Sequence, residues 1–449
     1  MGKVLKDNKI TEGVIWKQIL FFFFPLLFGS FFQQLYNTAD AVIVGRFVGK
    51  EALAAVGGAA AMIINLLVGF FIGVSTGATV TISQFYGGKG TKQVKEAIHT
   101  AVAISIIGGV AIMVVGLLIA PAMLEWMNTP PETMEASIDY IRIYFGGMIG
   151  NLLYNMGAGI LRAMGDSRKP LYFLIASCLV NIVLDIFFVI VLAMGVRGVA
   201  IATILSQFFS ATLVCIALGR LEEDYRLRIR EIRVHGWVVK RIITIGFPAG
   251  MQTVMYSLSN MLVQADVNYF GTGMVAAWTA YSKIDSVFWM VVSSFGVSVT
   301  TFVGQNYGAG LYQRVRSGVR QCLLMTACAT LLISSVLVPC GKVLLGLFTK
   351  DGEVITLGIE MMRFLVPFYI TYICVEIFSG ALRGMGDALV PMLLTFGGVC
   401  LLRIGWLLVA VPIWTDIKTV MFSYPITWIT TSILFVIYYS FYVRKKKIG

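Results

Sequence analysis

Three polar residues in the first half of the chain sit where a polar group is costly. Asp40, Asn181 and Asp185 lie inside apolar stretches, where a charge costs at least about 2.5 kcal/mol on insertion scales. Asn181 and Asp185 are four residues apart and so share one helical face. Asp40 closes the run Tyr36-Asn37-Thr38-Ala39-Asp40, and no Lys or Arg lies mid-stretch in this half to neutralise either acid. Two carboxylates without a basic partner can share a proton or hold a hard cation through oxygen. Thr203, Asn155 and Asn65 add polar groups in neighbouring stretches. Asp40, Asn181, Asp185 and Thr203 together offer carboxylate, amide and hydroxyl oxygens, with no thiol or imidazole. Such a set suits H+ or Na+. The alternative is that each acid bonds a nearby Asn or Ser and only fixes helix packing. Two unpaired acids in one half favour the coupling role.

The second half differs. It holds Asp266, Lys283, Asp285, Glu376 and Arg403 in or near apolar stretches. There acids and bases can pair, so an ion-pair network and a site are both open. Pro25 interrupts the first apolar stretch and Pro248 repeats it. Proline removes a backbone hydrogen bond and lets a helix bend, which makes Pro25 either a static kink or a moving hinge.

Other chemistries lack their residues. The two histidines, His99 and His235, lie in basic, loop-proximal segments without a partner set for catalysis or zinc. The seven cysteines fall in or at the ends of apolar segments with no CxxC pair, as small core residues do. Gly87, Gly88 and Gly90 lack the Lys and following Ser/Thr of a phosphate loop. No enzyme, no resident cofactor and no nucleotide site is expected.

What must position the acids is a membrane bundle. The 449 residues are 58% hydrophobic and 13% charged, with a mean hydropathy of +0.85. A soluble chain of this size could not hide that apolar surface. The reading gives an all-α polytopic protein of about twelve spans, near 15–45, 52–83, 95–121, 135–162, 170–193, 197–219, 239–270, 275–304, 317–347, 356–382, 391–413 and 419–442. The polar, basic start leads straight into the first span, so no cleavable leader is expected. The net charge of +12 falls in alternate loops: Lys3, Lys6, Lys9 and Lys17; Lys89, Lys92 and Lys95; Arg162, Arg168 and Lys169; the Arg220–Arg241 connector; Arg314, Arg316 and Arg320; Arg383; and the tail Arg444-Lys445-Lys446-Lys447. That is the positive-inside pattern and not a nucleic-acid face. Both termini are expected in the cytoplasm of a prokaryotic cell, with the chain in its plasma membrane.

The chain also repeats itself. Leu161-Arg162-Ala163-Met164-Gly165-Asp166 returns 221 residues later as Leu382-Arg383-Gly384-Met385-Gly386-Asp387, and Pro170 returns as Pro391 at the same shift. Gln84-Phe85-Tyr86-Gly87 returns as Gln305-Asn306-Tyr307-Gly308. Two pseudo-symmetric six-helix lobes follow, 1–230 with the connector and 231–449, related by an axis along the membrane normal. Each Arg-x-Met-Gly-Asp motif reads as a helix stop, with Asp166 and Asp387 structural. Glu376 aligns with Asn155, so the halves have diverged.

These residues resemble the multidrug and toxic compound extrusion family over nearly the whole chain. The resemblance rests on Pro25, Tyr36-Asn37-x-x-Asp40, Gly45-Arg46, Gly49 and Ala52-Leu53-Ala54, and on the paired Leu-Arg-x-Met-Gly-Asp. Asp40, Asn181, Asp185 and Thr203 are similar to the N-lobe cation site of its prokaryotic DinF-like branch. The acid of the NorM-like branch in span seven has only Gln264 or the offset Asp266 for a counterpart, which puts a C-lobe ion site in doubt. The resemblance implies a cation-coupled (H+ or Na+) antiporter, monomeric, exporting amphipathic, often cationic organic molecules. Its substrate contacts would come from Tyr36, Asn37, Asp40, Asn155, Met62 and Met148, with Tyr154, Met255, Met290, Phe288 and Trp289 either lining the path or packing helices. A lipid-linked precursor flippase of the same superfamily is the alternative, and the unpaired N-lobe acids argue against it.

Overall fold

A computed structural model describes residues 10–446, so Lys3, Lys6, Lys9 and Lys447 of the loop-charge pattern lie outside the described residues. Among these residues the chain forms no strand, one short 3-10 turn at Ile229–Glu231 in the connector, and twelve long helical segments. They are α1 (Ile15–Val48), α2 (Lys50–Gly87), α3 (Thr91–Trp126), α4 (Pro131–Gly146 continued by Met148–Ala163), α5 (Arg168–Val191), α6 (Gly195–Gly219), α7 (Gly236–Tyr269), α8 (Thr272–Gly308), α9 (Tyr312–Gly346), α10 (Gly352–Gly384), α11 (Leu389–Ile413) and α12 (Ile417–Lys445). Each expected span falls on one of them. Ten are long and apolar enough to cross a membrane by length and composition. The other two are α4, which is two 16-residue helices meeting at Gly147, and α7, which carries polar side chains from Gln252 to Asp266.

The repeated motif is a repeated helix stop. Gly165 has φ +94° and Gly386 φ +95°, a left-handed conformation that glycine adopts without steric cost. The N–H of Asp166 donates to Leu161 O and that of Asp387 to Leu382 O, both at 2.9 Å, the 6→1 bond of a glycine-terminated helix. Asp166 Oδ1 then accepts from the N–H groups of Arg168 and Lys169 at 3.2 and 3.1 Å, starting α5. Asp387 accepts from Val390 N–H and from Tyr438 OH, the latter at 2.6 Å. Both aspartates are structural.

The chain folds as two compact units, and their division is not at the connector. One unit comprises Phe24–Gly250; the other takes Ile10–Phe23 together with the chain from Met251 onward. Helices α1 and α7 each pass from one unit to the other, within two residues of Pro25 and Pro248. Packing explains why α7's first half belongs to the first unit. Gly73 and Gly77 on α2 meet Gly250 and Gly246 on α7 so closely that a Cβ at Gly73 would lie 2.2 Å from the Gly250 backbone, and one at Gly77 2.2 Å from Ile242 O. Glycines four apart on both helices permit backbone contact of this kind. In the other unit Phe23 stacks on Phe295 at 4.0 Å, and the Arg314 guanidinium donates to the carbonyls of Gly13, Glu12 and Ile10 at 2.8, 2.8 and 3.2 Å.

Both histidines hold the connector. His99, buried on α3, bonds Lys95 O through Nδ1 at 2.8 Å, and its Nε2 accepts from Arg228 N–H at 3.1 Å. Thr100 and His235 Nδ1 lie 3.1 Å apart, and Lys95 pairs with Glu231 at 2.6 Å. The connector is docked on its own unit.

Candidate functional site

The predicted acids converge inside the first unit. Helix α1 contributes Tyr36 and Asp40, one turn apart, and α5 contributes Asn181 and Asp185, also one turn apart. Asn181 and Asp185 are fully buried. The Asn181 amide is satisfied only with its nitrogen toward the acids, and it then donates to Asp40 Oδ1 at 2.8 Å and to Asp185 Oδ2 at 3.2 Å. One amide thus bridges two carboxyls from two helices. Asp40 also contacts Asp185 directly and bonds the Tyr36 phenol, and Tyr36 in turn reaches the Thr203 hydroxyl on α6. The second oxygen of Asp185, Oδ1, is buried and has no hydrogen-bond partner.

The helices hold this geometry for local reasons. Thr203 Oγ1 donates to Val199 O at 2.9 Å, Ser206 Oγ to Thr203 O at 2.8 Å, and Ser177 Oγ to Ser206 O at 2.7 Å, which ties α5 to α6. Directly after Asp185 the helix widens into a π segment, Ile186–Val191, a feature that often accompanies functional sites. Phe145, Met148, Val189 and Val199 belong to one buried apolar cluster of this unit.

The arrangement has acidic character throughout. Among the described residues neither Asp40 nor Asp185 is ion-paired with a Lys or Arg. Nor does any group of three or more His, Cys, Asp or Glu occur there that could hold a metal ion. The amide nitrogen facing both carboxyls suits a shared proton as it stands. A Na+ ion would take oxygens from Asp40, Asp185 and Thr203, and it would use Asn181 only after the amide turned its oxygen inward.

The remaining predicted contacts scatter. Asn37 and Met62 are exposed, and Met148 is fully buried among apolar neighbours. Asn155 bonds Asn151, its neighbour one turn back, through Oδ1 at 3.1 Å and the backbone carbonyl at 2.9 Å. Tyr154 donates to Pro170 O at 3.2 Å. Three residues near the acids were not singled out in the sequence: Tyr140 and Tyr144 on α4, which interact with Asp40, and Gln207, whose Nε2 donates to Tyr144 OH at 3.2 Å. Their signal was spacing, since Tyr140 and Tyr144, like Thr203 and Gln207, are four apart within a span.

Of Asp266, Lys283, Asp285, Glu376 and Arg403 in the second unit, Glu376 alone has an ion-pair partner among the described residues, and it is Arg383. Glu376 lies 3.8 Å from Arg383, whose NH1 also donates to Gln252 Oε1 at 3.3 Å. Asp285 accepts from Trp289 Nε1 at 2.7 Å and from the Tyr369 phenol. Lys283 is exposed and Asp266 half-buried, each without an ion-pair partner among the described residues.

Comparison with known proteins fits this picture. The MatE family model matches residues 25–187 and 248–407, once in each half. "Probable multidrug resistance protein YoeA" of Bacillus subtilis is 26% identical over 99% of this chain and 97% of its own. "Probable multidrug resistance protein NorM" of Thermotoga maritima is 25% identical over 87% of this chain and 84% of its own. A solved structure described as the outward-facing conformation of a multidrug resistance MATE family transporter of the MOP superfamily superposes with a TM-score of 0.92, at 21% identity and 99% coverage of both chains. With two matches to that model, one on each copy of the repeat, this chain belongs to the MatE family of multi-pass membrane transporters.

Proposed function

We propose that the chain is a cation-coupled antiporter that exports amphipathic, often cationic organic molecules by alternating access, driven by inward flow of H+ or Na+. The observation that carries this reading is the carboxyl pair Asp40–Asp185, bridged by Asn181, with Asp185 Oδ1 lacking any partner and no basic residue paired to either acid. Two acids held together without a countercharge are a poor way to stabilise a bundle and a good way to take up and release a cation. Thr203 and Tyr36 complete the set. The names of the curated relatives support export of drugs, and the N-lobe acids favour the DinF-like branch. The loop charges support a plasma-membrane orientation with both termini in the cytoplasm. The chain acts as a monomer.

Uptake of the cation and binding of a cationic substrate compete for the same negative charge, and this competition is the coupling. Each elementary charge moving inward gains about 2.3 kcal/mol per 100 mV, enough to bias the access equilibrium. Pro25 is the hinge, placed where α1 passes from one unit to the other. Transport in proteoliposomes with separately imposed H+ and Na+ gradients tests the proposal. Export of a cationic dye driven by at least one gradient is expected; export that follows neither would refute it.

A further inference from the structure

The second unit buries a cation that no acid neutralises. Arg403 on α11 is 2% exposed, and among the described residues no carboxylate lies within ion-pair distance of it. Its NH1 donates to Asn260 Oδ1 at 3.1 Å and its NH2 to Thr427 Oγ1 at 3.3 Å, both neutral acceptors. The guanidinium carbon lies 4.2 Å from the centre of the Tyr424 ring. Its Nε–H has no partner at all. Two acids of this unit's spans are committed elsewhere, Asp285 to Tyr369 and Trp289 and Glu376 to Arg383, and Asp266 is not within ion-pair distance of Arg403 among the described residues. Arginine stays charged in such surroundings, and burial of an uncompensated charge is costly.

Three features make this a site and not only a packing cost. The Ser423 hydroxyl, fully buried one turn from Thr427 on the same face of α12, is also without a partner. The π segment Phe396–Leu401 ends two residues before Arg403 in α11, and another directly follows Asp185 in α5. Asn260 itself is exposed on α7, so a single side chain separates the guanidinium from the surface of the unit.

We propose that Arg403, with Asn260 and Ser423, forms an anion-binding site that takes a carboxylate, received by Nε–H and a neighbouring terminal N–H in the two-pronged manner of arginine. The site deepens the export reading and rests on it only for the origin of the carboxylate: the exported molecule bears an acidic group as well as an apolar or cationic body.

Equilibrium binding of radiolabelled benzoate to the full chain in phosphatidylcholine nanodiscs, in chloride-free buffer and without a gradient, tests this. One saturable site is expected. Arg403→Gln should weaken binding about tenfold or more, and Arg403→Lys, which keeps the charge but loses the fork, should fall between. Should Arg403→Gln not fold, Asn260→Asp at the exposed position serves instead. It supplies a carboxylate beside the guanidinium and should abolish benzoate binding while raising thermal stability. Absence of saturable binding in the unaltered chain, or benzoate binding that survives Asn260→Asp or Arg403→Gln, would overturn the proposal. Adding phosphatidylglycerol separates the sources: undiminished benzoate binding supports a soluble carboxylate, and loss of it would reassign the site to a lipid phosphate and overturn the carboxylate. No gradient is applied, so a failure here leaves coupling by Asp40 and Asp185 untouched, and a failure of coupling leaves this measurement unchanged.

Discussion

The two copies of the repeat bury opposite charges within one helical turn of the same position. Asn181 and Asp185 flank Ile182 in α5, and the 221-residue shift carries Ile182 onto Arg403 in α11. In the first copy two acids share one amide; in the second a lone guanidinium leans on an asparagine, a threonine and a tyrosine ring. The backbone devices are conserved across the halves where the chemistry is not. Both copies stop a helix with a left-handed glycine, and both place a proline near the point where a helix changes unit. Duplication has kept the parts that make the bundle fold and move, and freed the buried polar positions to diverge.

Several measurements would break or sharpen that contrast. The largest effect is expected at the acids. Asp40→Asn and Asp185→Asn are nearly isosteric but cannot exchange a proton, so gradient-driven export in proteoliposomes should fall to the level seen without a gradient while expression and folding stay normal. Wild-type export by either variant would remove that acid from the mechanism. Next comes the bridge: Asn181→Leu leaves both carboxyls without their shared donor and should cost about 1–3 kcal/mol, read as a lowered unfolding temperature. An unchanged temperature would mean the amide bond is not made. The glycine stops should respond alike in both halves. Gly165→Ala and Gly386→Ala each force a left-handed alanine, at about 1–2 kcal/mol, and a clear inequality between them would show that the two turns are not equivalent. The smallest effect is kinetic. Pro25→Ala restores a backbone hydrogen bond and should slow turnover more than it weakens substrate binding; unchanged turnover would leave Pro25 a static kink.

Much of this is legible in the sequence. Twelve apolar stretches, the 221-residue repeat and the cluster of Asp40, Asn181, Asp185 and Thr203 are patterns of spacing, and spacing survives translation into helices. The division of units was not legible, because cutting the chain at the Arg220–Arg241 connector follows sequence order, whereas α7's first half is held by a glycine crossing with α2. The glycines were visible, but only their pairing in space gives them meaning. The role of His99 and His235 was hidden for the same reason, since each has its partner more than a hundred residues away, Arg228 on the connector for His99 and Thr100 on α3 for His235. The second half's charges looked able to pair by composition alone; hydrogen bonds to phenols, indole and amides took Asp285 and Arg403 out of that pairing. Met148, an apparent ligand contact by type, is a core residue by position.

The central claim is that the paired acids of the first unit hold either the coupling cation or the cationic substrate, and not both. Equilibrium affinity for a cationic dye, measured on detergent-solubilised protein from about pH 8 to about pH 5, tests it most directly. Protonation removes the negative charge the dye needs, so affinity should fall as pH is lowered, and the dependence should vanish in Asp40→Asn. Affinity that stays flat across that range in the unaltered protein would contradict the account.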